Sequence, residues 1–267
     1  DSRLTFTAPA NGEFLVRVED TQRDGQPTAT YALTVRLAEP DFSVRLSGAP
    51  ESVARGSGQA FSLTVDRRDG YDEAVDVEFL HLPAGWTVGG PVRIEAGHNT
   101  TELTLNAAVD AAQPEAPAWD AVRIIAGSRR EARATMMAVN ALGHPKLATT
   151  APKILVALAP SSGSSDGVVL IKPGGTARAR LSIQRQGHQG VVTFGIENLP
   201  HGVIVENLGL NGITFLPEES EREISFAAAR WVGDLDRTFF AVENQAGRQT
   251  SRPLTLQVRR SPTQAAK

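Results

Sequence analysis

The sequence predicts an all-β chain: two tandem β-sandwiches preceded by a partial β-sandwich segment. Three observations carry this. Short apolar runs alternate with polar residues at a period of two, the mark of a strand with one buried and one wet face. Glycine (24) and proline (16) punctuate these runs, leaving little room for long helices. A whole pattern is written twice, most visibly as Leu82-Pro83-Ala84-Gly85 and Leu199-Pro200-His201-Gly202.

Length and charge set the outer limits. At 267 residues the chain exceeds one typical domain and suits two or three. A net charge of −3 gives no field to attract nucleic acid or an anionic membrane. No apolar run approaches the roughly 20 residues that span a bilayer. With no cysteine, disulfides, thiolate metal sites and thiol nucleophiles are excluded. Secreted eukaryotic sandwiches usually carry a bridge, so an extracellular reading points to bacteria. The chain starts at Asp1 with neither Met nor a leader, and the expectation is a piece of a larger secreted or surface protein.

Residues 1–38 read as three strands. Leu4 and Phe6 alternate, a turn follows from Thr7 to Gly12, then Phe14, Val16 and Val18 alternate. A polar loop from Glu19 to Thr28 leads to Tyr31, Leu33, Val35 and Leu37. The run Leu4-Thr5-Phe6-Thr7-Ala8-Pro9-Ala10-Asn11-Gly12-Glu13-Phe14-Leu15-Val16-Arg17-Val18, closing with Tyr31-Ala32-Leu33-Thr34-Val35, resembles the second half of a bacterial pre-peptidase C-terminal domain. That resemblance implies a small β-sandwich whose first half lies upstream.

Residues 39–140 are the first repeat. Phe42, Val44 and Leu46 alternate; Arg55-Gly56-Ser57-Gly58 is a turn; Phe61, Leu63 and Val65 form a strand ended by Asp69-Gly70; Val75, Val77 and Phe79 form the next, ended by Leu82-Pro83-Ala84-Gly85. Val92 and Ile94, Leu103 and Leu105, Val122 and Ile124, and Thr135, Met137 and Val139 complete it, with a looser loop from Ala107 to Trp119. Residues 141–150 read as a short linker, which predicts end-to-end stacking of the two sandwiches.

The second repeat, 151–260, matches piece by piece. Ile154, Val156 and Leu158 correspond to Phe42, Val44 and Leu46; Lys172 to Gly175 match Arg55 to Gly58; Leu181 and Ile183 match Leu63 and Val65; Val192, Phe194 and Ile196 match Val75, Val77 and Phe79. Ile213 and Phe215, Ile224 and Phe226, Phe240 and Val242, and Leu254, Leu256 and Val258 follow. The copy differs by a Ser-rich insert, Ser161 to Ser165, and ends in a polar tail, 261–267. About seven short strands in some 100 residues is the signature of an immunoglobulin-like sandwich. Both copies resemble bacterial immunoglobulin-like modules on a shared motif: a glycine turn, an alternating strand, an arginine followed by glycine (Arg67-x-x-Gly70 and Arg185-x-Gly187), a second alternating strand and Leu-Pro-x-Gly. In that motif proline presets φ at the second turn position, glycine supplies the exit, and the leucine turns inward to close one end of the core. A Leu82→Asp change is then expected to melt the first repeat and spare the second.

Candidate chemistry is sparse. Asp69, Asp72 and Glu73 gather around one hairpin with Asp76 and offer several oxygens of the kind calcium takes, but not at the spacing of the twelve-residue calcium loop. The plainer reading is a solvated acidic turn, and no cofactor is expected beyond that calcium candidate. Glu19, Asp20 and Asp24 form a similar loop; Asp234 and Asp236 have Arg230 and Arg237 as partners. The five histidines are scattered and read as surface or turn residues. Gly163 to Gly167 lacks the Gly-x-Ser-x-Gly elbow of a hydrolase, and Asn99-Thr100-Thr101 is a glycosylation pattern of no consequence in a bacterium. Trp119 and Trp231, in the loops before the late strands, are candidates for stacking on a sugar, the plainer reading of both being core or loop packing, and Trp86 is assigned to the core.

The expected function follows. The chain is read as non-catalytic spacer or adhesion modules of a larger bacterial protein, extracellular, on the cell surface or periplasmic. Its expected partners are other domains of the same polypeptide and a cell-wall glycan or surface protein, and it is expected to be monomeric. The rival reading is a carbohydrate- or protein-binding accessory module of a secreted hydrolase.

Overall fold

The computed structural model describes residues 3–19, 30–127, 134–136, 142–161, 167–206, 208, 212–245 and 247–260. The loop residues Asp20 and Asp24, the strand residues Met137 and Val139, the serine insert 162–165 and the tail 261–267 lie outside them. The chain divides into two compact units: residues 1–42 with 67–71, and residues 43–66 with 72–267.

In the first unit the expectation of three strands is corrected. Residues 3–19 and 30–40 form no strand, and Leu4, Phe6, Phe14, Val16, Val18, Tyr31, Leu33, Val35 and Leu37 are all exposed. Alternation alone does not make a sheet: so few strands gain too little unless a second layer covers the apolar face. What order the segment has is local. Phe6 and Phe14 meet edge-on at 5.1 Å. Arg36 pairs with the Asp69 carboxylate at 2.5 Å, and the Glu39 N–H donates to the same group at 3.1 Å.

Apart from residues 39–42 and 67–71, both repeats lie in the second unit. The first contributes β1 (Asp41–Ser47), β2 (Ser52–Val53), β3 (Gly58–Arg68), β4 (Val75–Leu80), β5 (Trp86–Val88), β6 (Val92–Ile94), β7 (Thr100–Ala107), the short helix α1 (Ala116–Asp120), β8 (Arg123–Gly127), β9 (Ala134–Met136) and β10 (Lys146–Leu147). The second contributes β11 (Ile154–Pro160), β12 (Val168–Ile171), β13 (Thr176–Arg185), β14 (Val192–Glu197), β15 (Val203–Glu206), β16 (Ile213–Phe215), β17 (Glu221–Ala228), β18 (Leu235–Glu243), β19 (Gln249–Thr250) and β20 (Leu254–Val258). The fold is all-β, its strands laid out as two sandwiches. Among the described residues no helix is long and apolar enough to cross a membrane.

Strand pairing shows the duplication directly. β11-β13-β17-β15 form one sheet of the second sandwich; β1, β3, β7 and β5 pair in the same order in the first. Opposite them, β16-β14-β18-β20 correspond to β6-β4-β8 with β9. The predicted alternation holds where one face is wet: along β13, Ala179, Leu181 and Ile183 are buried between more open neighbours. Across the core from them lie Phe194, Phe215 and Phe239, with Phe226 beside them on the neighbouring strand β17.

The glycine turns match one residue earlier than the sequence suggests. Gly56 N–H donates to the Ala107 carbonyl and Gly174 N–H to that of Ala228, while Ser57 and Gly175 close turns on Ala54 and Lys172. Lys172–Gly175 is thus equivalent to Ala54–Ser57. The Leu-Pro-x-Gly turns also sit differently. Trp86 N–H donates to the Pro83 carbonyl, and Val203 N–H to that of Pro200, both at 3.0 Å. Proline is the first residue of the turn rather than the second, and the glycines take φ of 79° and 87°. Pro83 and Pro200, not the leucines, are the buried residues of these turns.

Two further expectations give way. The stretch 141–150 is not merely a linker: Lys146–Leu147 pair parallel to Ser52–Val53, and Leu142 and Leu147 are buried. In the second repeat β12 pairs parallel to β20 in the comparable place. The sandwiches also do not stack end to end. Pro253 has no N–H to give the ladder and separates β19 from β20. β19 then bridges sideways, pairing with β18 through Thr250 and Val242 and with β3 through Thr250 and Gly58 and through Gln249 and Gln59. One sheet runs from the second repeat into the first.

Candidate functional site

The seam between the repeats is lined by polar groups with short reach. Ser57 Oγ donates to Gln249 Oε1 at 2.5 Å, and Gln59 Nε2 to the Gly247 carbonyl at 2.6 Å. The hydroxyls of Thr104 and Thr250 meet directly. Gly58 is needed here for space: a Cβ would strike Thr250 Oγ1, Asn106 Oδ1 and Thr104 Oγ1.

β18 explains the rest of the junction, because it is buried on both faces. Phe239 and Ala241 belong to the core of the second sandwich. The sequence assigned that role to Phe240 and Val242, which lie one position out of phase and so on the opposite face. That face also carries Thr238, whose hydroxyl donates to the Pro91 carbonyl of the first repeat at 3.3 Å. With both faces covered, a strand loses the polar half of its alternation and its phase becomes unreadable.

At the start of β18 stands Arg237. Its side chain is 6% exposed, and the guanidinium donates to Glu95 Oε1 and to the Arg93 carbonyl, both at 2.6 Å, and to Asn198 Oδ1 at 3.2 Å. Burial pulls its pKa down, while the Glu95 carboxylate acts in the opposite sense. Asn198, at φ 66°, donates from Nδ2 to the Thr238 carbonyl at 2.7 Å and accepts from Thr101 Oγ1 at 2.5 Å. The sequence paired Arg237 with Asp234 or Asp236. Instead Asp236 pairs with Arg259, and Asp234 accepts the Arg260 N–H.

Beside this cluster opens a cleft of about 240 Å³, lined by Glu95, His98, Thr100, Thr101, Glu102, Asn198, Leu199, His201 and Arg237. His201 belongs to the second Leu-Pro-x-Gly turn. Its ring lies 5.5 Å from that of His98 and 5.0 Å from that of Trp231. The three rings form a row crossing from one repeat to the other. Nearby, Glu197 has its pKa raised by burial and then by the charge of Glu102, with Arg248 opposing.

The sequence candidates fare unevenly. Trp231 is 61% exposed and caps the turn, its ring lying over Gly202. Trp119 is 1% exposed on α1, edge-on to Trp86 at 5.0 Å, and presents no face to a ligand. Asp69 is committed to Arg36, whose hydrogen bond is the chief reason its pKa is lowered. Asp72 accepts the Gly97 N–H at 2.8 Å. Asp76 does not simply face solvent; it holds Arg93 through two bonds of 2.6 and 2.7 Å. Among the described residues no three His, Asp or Glu side chains converge with the geometry to hold a metal ion. The sequence missed His98, Glu95 and Arg237 because their partners lie a full repeat away, where no local pattern can register them.

No family model matches the chain, and no curated protein does. The pre-peptidase resemblance of residues 1–38 therefore has no family match beside it. Solved structures that overlap the chain include domains 5–6 of the S-layer protein SbsC, with 14% identity and a TM-score of 0.29, covering 84% of this chain and 100% of that one. The D0–D1 domains of intimin overlap with 11% identity and a TM-score of 0.27, covering 81% and 97%. A protein of unknown function from Porphyromonas gingivalis W83 overlaps with 13% identity and a TM-score of 0.29, covering 80% and 98%. Overlaps this loose assign neither a family nor an activity.

Proposed function

We propose that the chain is a non-catalytic structural segment of a larger extracellular or cell-surface bacterial protein. Its two sandwiches act as one stiff element that spaces or presents other parts of the same polypeptide. The observation that supports this is the seam: a sheet running through β19 into β3, braced by the pair between buried Arg237 and half-buried Glu95. Inter-domain contacts within a chain ordinarily leave freedom of motion unless they are large and well bound. A shared ladder with a partly buried ion pair beside it opposes bending, which suits a spacer.

Differential scanning calorimetry tests the reading. A rigid pair unfolds in one transition, whereas two well-separated transitions in the unmodified protein would remove its basis. Labelling intact cells of the source bacterium with an antibody to the chain tests the location; signal only after lysis overturns it. The reading needs no cofactor. The melting temperature is expected to be the same in EDTA and in millimolar calcium, and a clear rise with calcium would restore the acidic hairpin as a metal site.

A further inference from the structure

We propose that the Trp231–His201–His98 row and the cleft beside it form a binding site for a neutral oligosaccharide. The site is independent of the spacer reading and adds to it.

Three features point to this ligand class. Trp231 offers an exposed aromatic face where large apolar side chains are ordinarily covered, and the His201 and His98 rings follow beside it, tilted 60° and 59° from ring to ring. A sugar ring presents a C–H face that packs on such a surface, and a row of rings takes a chain of sugars better than a single one. The cleft then supplies polar groups of both kinds. Glu102 accepts Ser62 Oγ at 2.5 Å through Oε1, and its Oε2 carries no hydrogen bond from the described residues. A carboxylate oxygen in that state is a strong acceptor for a sugar hydroxyl. Thr100 and the ring of His201 line the same space and both donate and accept.

The charge balance argues against other ligands. Glu95 is neutralised by Arg237, and Glu102 and Glu197 repel phosphate, so a nucleic acid is disfavoured. A lysine-rich peptide would satisfy the carboxylates but makes no use of hydroxyl-matched donors. The walls are also held in place: Asn198, Thr101 and Arg237 bind each other across the junction, so the site is formed before a ligand arrives.

The test is a titration of the whole chain with chitohexaose, cellohexaose and xylohexaose, following tryptophan fluorescence and heat, with hexalysine as the charged control. The expected result is saturable binding to at least one saccharide, insensitive to salt, and weakened about tenfold or more in Trp231→Ala. Glu102→Gln, which changes no volume, is expected to weaken it as well. Calorimetric unfolding of both variants checks that they remain folded. Binding of none of the three saccharides, undiminished binding in folded Trp231→Ala, or salt-sensitive binding of hexalysine alone would each overturn the proposal. A chain that still unfolds in one step but binds no saccharide would lose this site and keep the spacer role.

Discussion

Removing the Arg237 guanidinium takes from the Glu95 carboxylate the cation bonded to it at 2.6 Å, and leaves it the His201 backbone N–H at 3.4 Å. Truncating one member of a buried pair leaves the other charge without compensation, and that is costlier than the pair is stabilising. Glu95 keeps a 24% exposed side chain, which softens the penalty. Arg237→Ala is therefore expected to cost about 2–4 kcal/mol in urea unfolding, more than Glu95→Gln, which leaves an acceptor in place. Glu197 makes a second prediction at this scale. Its pKa is raised, so the folded chain holds its proton more tightly than the unfolded chain does. The stabilising contribution is then fully present below the ordinary value of 4.5 and is lost as pH rises through the folded value. Glu197→Gln should be relatively more stable than the parent above that window, and the urea midpoint of the two proteins measured from pH 4 to pH 8 should diverge as pH rises. Parallel curves would remove the argument from burial and from Glu102.

At the scale of elements, the two Leu-Pro-x-Gly turns share one geometry in different surroundings. Gly85 and Gly202 both sit at positive φ, which costs a residue with a Cβ roughly 1–2 kcal/mol. A Cβ at Gly85 would lie 3.1 Å from Ala111, whereas at Gly202 it would press into the Trp231 ring and Val232. Gly202→Ala should be the more damaging of the two by denaturant midpoint, and should move the tryptophan emission as Trp231 is displaced. The N-terminal segment teaches the converse. Its alternation is as regular as that of any strand in the chain, yet its apolar residues stay exposed and no strand forms. Period two reports that a segment suits a sheet; it carries no information on whether a second layer is there to cover it.

For the whole molecule, the seam changes what a local lesion does. Two sandwiches joined by a short linker would melt separately, so Leu82→Asp would damage only the first. Because β19 pairs with both β18 and β3, losing the first sandwich uncovers Phe240 and Val242 and takes from β19 its partner β3. Leu82 is only half-buried, so Leu82→Asp is now expected to lower the stability of both repeats together by a small amount, seen as a shift of a single calorimetric peak. Gly58→Ala acts on the seam itself. Its Cβ would collide with three polar side chains, and overpacking of this kind costs about 1–3 kcal/mol. The expected sign of success is a broadened or split transition in Gly58→Ala; an unchanged peak would mean the seam contributes little to coupling.

The duplication, the all-β class and most of the inward-facing residues were determined by the sequence alone. Leu63 and Val65, Leu181 and Ile183, and Val192 and Phe194 are buried as their alternation requires, because each lies on a strand with one wet face. What only the tertiary structure decided lies between the repeats: the sideways pairing of β19 with β3, the phase of β18, the reach of Arg237 to Glu95, and the meeting of His98, His201 and Trp231. These residues are far apart in the chain, and several sit where both faces are covered. A period of two records only the boundary between protein and water, and at a surface buried by another part of the same chain that boundary is no longer there to be read.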